Sequence, residues 1–166
     1  MEQFEKYGAF IAMGTNLGDK AQNLKQALSL IEAKGNKVVL KSYIYETKPY
    51  GMIEQPDFYN AIIGVLTPYK PLALLNVLKT IEIEMGREKT EKWGPRIIDL
   101  DIILYGDIQI DSDQLKIPHP DFRNRDFVLR PLKEIARMIV DPVSEKTVGE
   151  LYESLEQDRC QKVAML

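Results

Sequence analysis

The chain has one cysteine, one histidine and one tryptophan in 166 residues. A single thiol forms no internal disulfide, and one cysteine with one histidine is too few for a zinc site of the Cys/His type. Cys160 lies in a polar stretch with no histidine near it in sequence, which argues against a thiol nucleophile and for a reducing, cytoplasmic setting. No apolar run approaches the roughly 20 residues of a membrane span, so no membrane partner is expected. Met1-Glu2-Gln3-Phe4-Glu5 is acidic where a signal peptide would be basic. There is no excess of positive charge either. Lys and Arg number 22 against 25 Asp and Glu, a net charge of −3, so the broad basic field of a nucleic-acid binder is missing. Repeats, low-complexity stretches and linkers are absent, and one domain over 1–166 is expected.

What is present is a core and two local clusters of cations, Arg87, Lys89, Lys92 and Arg96 within ten residues and Arg123, Arg125 and Arg130 within eight. Hydrophobic residues make up 45% and charged residues 28% of the chain, the balance of an ordinary globular protein. Phe10-Ile11-Ala12-Met13 reads as a buried strand ended by Gly14. Leu24, Ala27, Leu28 and Ile31 recur at helical spacing between a cap at Asp19 and a stop at Gly35, predicting a helix over Lys20–Lys34. Lys37–Tyr45 and Phe58–Thr67 are β-branched and aromatic and read as strands. Pro71 suits the first turn of a helix over Leu72–Met85. Ile97–Tyr105 alternates as a strand, and Tyr105-Gly106-Asp107-Ile108 reads as a hairpin leading into Gln109-Ile110. Short helices are expected from Asp126, broken near Pro131, and over Thr147–Leu155. Loops fall at Thr47–Pro56, Arg87–Arg96 and Pro118-His119-Pro120. The order β-α-β-β-α-β predicts a ferredoxin-like α+β fold, an antiparallel sheet with helices on both faces in three αβα layers.

In the strand Ile97-Ile98-Asp99-Leu100-Asp101-Ile102-Ile103-Leu104, alternate side chains share a face. Asp99 and Asp101 therefore point the same way, about 7 Å apart, while Leu100, Ile102 and Leu104 point to the other side. Two aspartates weaken a strand and repel each other unless a cation lies between them. A hard cation such as Mg²⁺ takes such oxygen ligands together with substrate phosphates. A strand with one wet face explains the same residues. The preceding loop supplies Arg87, Lys89, Lys92 and Arg96 with Trp93, and guanidinium forks match phosphate oxygens. A solvated charged loop is the alternative, with Trp93 merely anchoring it. Gly14-Thr15-Asn16-Leu17-Gly18-Asp19 fits neither nucleotide-binding glycine motif and reads as a tight turn with a helix cap. His119 is a phosphate donor or a loop residue.

Trp93-Gly94-Pro95-Arg96-x-x-Asp99-Leu100-Asp101-Ile102 resembles the signature of 6-hydroxymethyl-7,8-dihydropterin pyrophosphokinases. Gly14–Asp19, Gln55-Pro56-Asp57-Phe58-Tyr59-Asn60, and Pro118-His119-Pro120 with Arg125-x-Phe127-Val128-Leu129-x-Pro131-Leu132 are similar to three further motifs of that family, in the same order. The resemblance implies transfer of pyrophosphate from ATP, a co-substrate, to the hydroxymethyl group of a reduced pterin, with AMP released, as a step of folate biosynthesis. It implies two Mg²⁺ ions on Asp99 and Asp101. It further implies Arg87, Lys89, Trp93, Arg96, His119 and Arg125 around the nucleotide and its transferring group, with Glu82 and Ile102 beside them. Phe58 and Phe127 would sandwich the pterin, Asn60 would bond its edge, and the backbone near Thr47 would complete the contacts. Lys89 stands where the family commonly has arginine, Phe58 where tyrosine is frequent, and Thr47-Lys48-Pro49 where some members have Thr-Pro-Pro. Small-molecule substrates are the expected partners, with a monomer or weak dimer as the assembly. An ordinary kinase producing ADP and a ferredoxin-like RNA-binding module are the rival readings; RNA binding would have to depend steeply on salt.

Overall fold

The computed structural model describes residues 8–49, 54–87 and 95–166. Lys89 and Trp93, and the middles of the two loops predicted at Thr47–Pro56 and Arg87–Arg96, lie outside the described residues. The fold is a mixture of helices and antiparallel sheet. In chain order the elements are β1 (Gly8–Thr15), α1 (Lys20–Ala33), β2 (Lys37–Lys41), β3 (Tyr43–Thr47), β4 (Phe58–Leu66), α2 (Pro71–Glu84) and β5 (Asp99–Tyr105). There follow β6 (Ile110–Asp111), β7 (Lys116–Ile117), a 3₁₀ turn (Phe122–Asn124), α3 (Asp126–Ala136), α4 (Val148–Glu153) and β8 (Gln161–Met165).

The main sheet runs β5-β1-β4-β3-β8, with β2 also paired to β4. Central β1 is buried along almost its whole length, which is why Phe10–Met13 reads as a continuous apolar run rather than an alternation. Its side chains go to two cores. Ala9, Ile11 and Met13 pack with Leu24, Ala27 and Ile31 of α1 and Leu74, Leu78 and Ile81 of α2. Phe10 packs with Ile62, Phe122, Val128, Leu129 and Leu132 around α3, joined by Val148 and Leu151 of α4. Asp19 caps α1 by accepting the Gln22 N–H at 3.1 Å, and Pro71 opens α2, where a missing N–H costs nothing.

Five expectations need correction. The strand over Lys37–Tyr45 is two strands, because buried Ser42 interrupts it. Its Oγ accepts the Ile62 N–H at 2.9 Å and donates to the Tyr43 carbonyl at 2.7 Å. Leu104 does not lie on the Leu100 side of β5. The ladder with β1 shifts between Phe10 and Ile11, pairing Phe10 with Leu104 but Ile11 with Ile102, so Ile103 is one extra residue. A bulge of this kind flips everything beyond it, and Leu104 joins Phe10 in the α3 core. The turn after Tyr105 is not a hairpin on β5. Gly106, at φ 51°, turns the chain away, and β6 pairs with β7 instead. The outer side of β5 is met by His119, whose N–H reaches the Ile103 carbonyl at 2.9 Å. Pro131 does not break α3; it is buried within the helix, where packing outweighs the one backbone donor it lacks. Cys160 is buried rather than lying in a polar tail. The stretch after it forms β8 on β3.

A buried ion pair fastens the segment after α3. Asp141, fully buried, receives Arg123 through Nε at 2.5 Å and Nη2 at 2.9 Å, with the Ser144 hydroxyl at 2.7 Å. Burial alone would raise its pKa, but the Arg123 and Ser144 hydrogen bonds, the Val143 N–H and the Arg123 charge hold it below the ordinary carboxylate range. A depressed folded pKa stabilises above the unfolded value of about 3.9 and is lost as pH falls through the folded value. Asp141→Asn should therefore cost roughly 3 kcal/mol near neutrality and fall less steeply in melting temperature on acidification than the parent; parallel pH profiles would rule this out.

Candidate active site

The site is built where β1, β4 and β5 lie side by side. On one flank of β1, Gly14 pairs with Asn60 and Ala12 with Ile62; on the other, Gly14 pairs with Asp99 and Ala12 with Asp101. Because the pleat places these positions on one face, Asn60, Gly14, Ala12, Asp99 and Asp101 open into a single cavity of about 310 Å³. Thr47 at the end of β3, Phe58 at the start of β4, Arg96, Ile103, His119, and Arg125, Phe127 and Val128 from the start of α3 also line it, together with Met13, Ala61, Lys48 and Pro49.

Gly14 is constrained by close approach. A Cβ there would stand 3.0 Å from Asn60 Oδ1 and 3.9 Å from the Phe58 ring, so a side chain would require the Asn60 amide to give way. Asn60 is itself fixed: its Nδ2 donates to Thr47 Oγ1 at 2.7 Å, with both residues buried. Its remaining amide N–H and its carbonyl can each serve a planar heterocycle's edge. Phe58 and Phe127 stand on different elements at the same cavity, and the Arg125 guanidinium lies 5.5 Å from the Phe127 ring centroid.

The carboxylates are set among cations. Arg87 Nη1 reaches Asp99 Oδ1 at 3.0 Å and also pairs with Glu82, a buried residue of α2. Asp101 is pushed up to about 7, first by burial and next by the Asp99 charge, against the lowering pull of Arg125, Arg87 and Lys79. His119 is held below its usual pKa by burial and by Arg125. Its Nδ1 accepts the Asp121 N–H at 3.1 Å, so the neutral ring carries its proton on Nε2, a donor suited to an anionic oxygen.

Of the residues singled out from sequence, the structure gathers Thr47, Phe58, Asn60, Arg96, Asp99, Asp101, His119, Arg125 and Phe127 around one cavity. Arg87 joins them through Asp99. Glu82 stands behind Arg87 and does not line the cavity. Ile102 lies in the core against the opposite face, while its neighbour Ile103 takes the cavity wall. Lys89 and Trp93 lie outside the described residues.

Sequence reading missed Asn16. Read as part of a turn, it is almost wholly buried and ties both loops to the sheet. Its Nδ2 donates to Gln55 Oε1 at 2.8 Å and to the Pro56 carbonyl at 3.0 Å. Its Oδ1 accepts the Arg96 N–H at 2.7 Å, and its own N–H meets the Arg96 carbonyl at 3.0 Å. Asparagine between two glycines carries no mark in the sequence that separates a buried hub from a turn.

Comparison with known proteins gives a consistent picture. A family model described as 7,8-dihydro-6-hydroxymethylpterin-pyrophosphokinase matches residues 10–137. A 2-amino-4-hydroxy-6-hydroxymethyldihydropteridine pyrophosphokinase of Haemophilus influenzae is 44% identical over 138 residues, 82% of this chain and 86% of that protein. One of Bacillus subtilis is 42% identical over 132 residues, covering 79% of each. A mitochondrial folate synthesis bifunctional protein of Arabidopsis thaliana is 42% identical over 139 residues, 84% of this chain but only 25% of its own length. Among solved structures, a Plasmodium falciparum HPPK-DHPS with pteroate superimposes with a TM-score of 0.72 at 20% identity, over 88% of this chain and 44% of that one. That last likeness bears on the fold alone.

If the Asp99 charge helps to raise Asp101, Asp99→Asn should lower the Asp101 midpoint below about 7 when its side-chain carboxyl carbon is titrated by NMR. An unmoved midpoint would leave burial as the sole cause.

Proposed function

The chain belongs to the 7,8-dihydro-6-hydroxymethylpterin-pyrophosphokinase family, and from that premise we infer that it transfers pyrophosphate from ATP to 6-hydroxymethyl-7,8-dihydropterin, a step of folate biosynthesis. The observation that carries the reading is the shared cavity: an aromatic slot formed by Phe58, Asn60 and Phe127 adjoins a carboxylate pair ringed by Arg87, Arg96, Arg125 and His119. A flat heterocycle and a polyphosphate need just such neighbouring halves.

The pterin's hydroxymethyl oxygen attacks the β-phosphorus, the bond from that phosphorus to the bridging α-oxygen breaks, AMP leaves, and the hydroxyl proton passes to solvent. Such transfers depend on positioning and on charge neutralisation more than on a strong base. Asn60, braced by Thr47, registers the pterin edge while the two phenylalanines hold its faces. Arg96 and Arg125 offer forked donors to phosphate oxygens, and His119 offers Nε2–H. Arg87 offsets the Asp99 charge and, through Glu82, is tied to the body of the protein.

Mg²⁺ fits the donor set: Asp99 and Asp101 are hard oxygen ligands side by side on one strand face, open to the cavity, and their mutual repulsion is what a cation relieves. These two residues would hold it, two ions being proposed, and when bound it would screen the phosphate charge. The strand order β5-β1-β4-β3, antiparallel throughout, supports a ferredoxin-like sheet, and the two cores on its opposite sides support an αβα layering. We further propose one domain, a monomer or weak dimer, and a cytoplasmic setting; among the described residues no helix is long and apolar enough to cross a membrane.

The test is incubation with Mg-ATP and 6-hydroxymethyl-7,8-dihydropterin followed by separation of the nucleotides. AMP should form in step with the pterin diphosphate; ADP, or nucleotide turnover indifferent to pterin, would overturn the assignment. Asp101→Ala should keep the fold by circular dichroism and lose roughly a thousandfold in rate, the equivalent of several kcal/mol of charge stabilisation.

A further inference from the structure

The start of α3 carries two residues of the cavity, Arg125 and Phe127, yet it is not held by its own cap. Arg125, at the N-cap position, makes no side-chain capping bond. The anchor comes instead from a segment the family model does not reach, since that match ends at residue 137. Asp126, the first helical residue, is 3% exposed. Its Oδ2 accepts Arg159 N at 2.9 Å and Arg159 Nε at 3.0 Å, and its Oδ1 accepts Arg159 Nη2 at 3.2 Å and Phe127 N at 2.9 Å. One carboxylate thus joins the Phe127 backbone to Arg159.

The same segment is fixed on both sides of that pair. Asp158 accepts from Arg130 Nη1 and from the Tyr152 hydroxyl, each at 2.5 Å, and from Cys160 N at 2.9 Å. Immediately afterwards β8 pairs with β3, setting Gln161 opposite Glu46 and Lys162 opposite Tyr45. The next residue of β3 is Thr47, the partner of Asn60. Residues 158–162 therefore strap the helix that supplies one aromatic wall to the strand that braces the opposite side of the cavity. Asp126, Asp158 and Cys160 bring their ligand atoms within 4.8 Å of one another, but Arg159, Arg130 and Tyr152 already engage both carboxylates. The thiol is pushed above its ordinary pKa by burial and by the two aspartates. The cluster is a brace, not a cation site.

We propose that Arg159 is a positioning residue of the pterin site, acting through Asp126 to set where Phe127 and Arg125 stand relative to Phe58 and Asn60. The role rests on the pterin reading above, because Phe127 matters only if its ring meets the substrate. Loss of the fork should loosen the first turn of α3 rather than the sheet. Misplacement of a binding wall shows first in the substrate that uses it.

The experiment compares the full chain with Arg159→Gln and Arg159→Lys. In Arg159→Gln, amide hydrogen exchange at Phe127, Val128 and Leu129 should accelerate by roughly tenfold or more, with α1 unchanged. The KM for 6-hydroxymethyl-7,8-dihydropterin should rise by roughly tenfold, and the KM for ATP by much less, since Arg96 and His119 hold ATP from other elements. Lysine restores charge without the fork and should recover part of both effects. Unchanged exchange at those three amides would overturn the brace, and a lower melting temperature with both KM values unmoved would overturn the positioning role. A parent chain that does not turn over the pterin would sink the substrate reading instead. The exchange comparison would then still decide whether Arg159 holds the start of α3.

Discussion

The register of β1 between β4 and β5 is the constraint on which the site depends. It sets Gly14 between Asn60 and Asp99, and Ala12 between Ile62 and Asp101. A slip of one residue on either side would turn the amide or the carboxylates into an apolar core. The small side chains of β1 at these positions leave the volume that Phe58 and Phe127 enclose. The bulge at Ile103 adds a second condition. Before it, β5 presents aspartates toward α3; after it, β5 presents Leu104 to the same side. One strand can thus be a charged wall at one end and a packed wall at the other.

Charge at the site is organised as a chain rather than a cluster. Glu82, buried on α2, pairs with Arg87, and Arg87 reaches Asp99. Asp99 in turn raises Asp101, which Arg125 and Arg87 partly offset. Glu82 and Asp99 are thereby matched by a guanidinium before any substrate arrives, which limits the cost of burying them, whereas Asp101 is offset only in part. Asn16 performs the uncharged counterpart. Both ends of its amide are engaged, and they hold the stretch before β4 and the stretch before β5 to the end of β1.

The elements that show in the sequence are those whose signal is local. α1 and α2 follow from apolar spacing and from Asp19 and Pro71. The buried strands β1, β4 and β5 follow from short apolar runs, and the aspartate pair stands out against such a run. What escaped depends on partners far along the chain. The break at Ser42 exists because Ile62 offers its backbone to a hydroxyl. The displacement of Leu104 exists because β1 and β5 differ by one residue in length across the ladder. β8 is exposed at every position, with no buried face to mark it, and it pairs with the available edge of β3. Pro131 looked like a helix breaker, but a helix already fastened at both ends by buried apolar residues accommodates it.

The two aromatic walls have a consequence for the order in which the protein takes shape. Phe58 belongs to a hairpin-like meander that can pair as soon as β3 and β4 exist, whereas Phe127 arrives on α3 and is fastened by residues that come later still. The pairing of β8 with β3 is among the most distant in sequence, and distant contacts form late because the intervening chain must first lose its freedom. While the polypeptide is being synthesised, the strand that carries Asp99 and Asp101 and the amide of Asn60 precede the wall that α3 supplies. A nascent chain at that stage can pair β1, β4 and β5 while the cavity still lacks the wall from α3, and β8 closes the edge of β3 last.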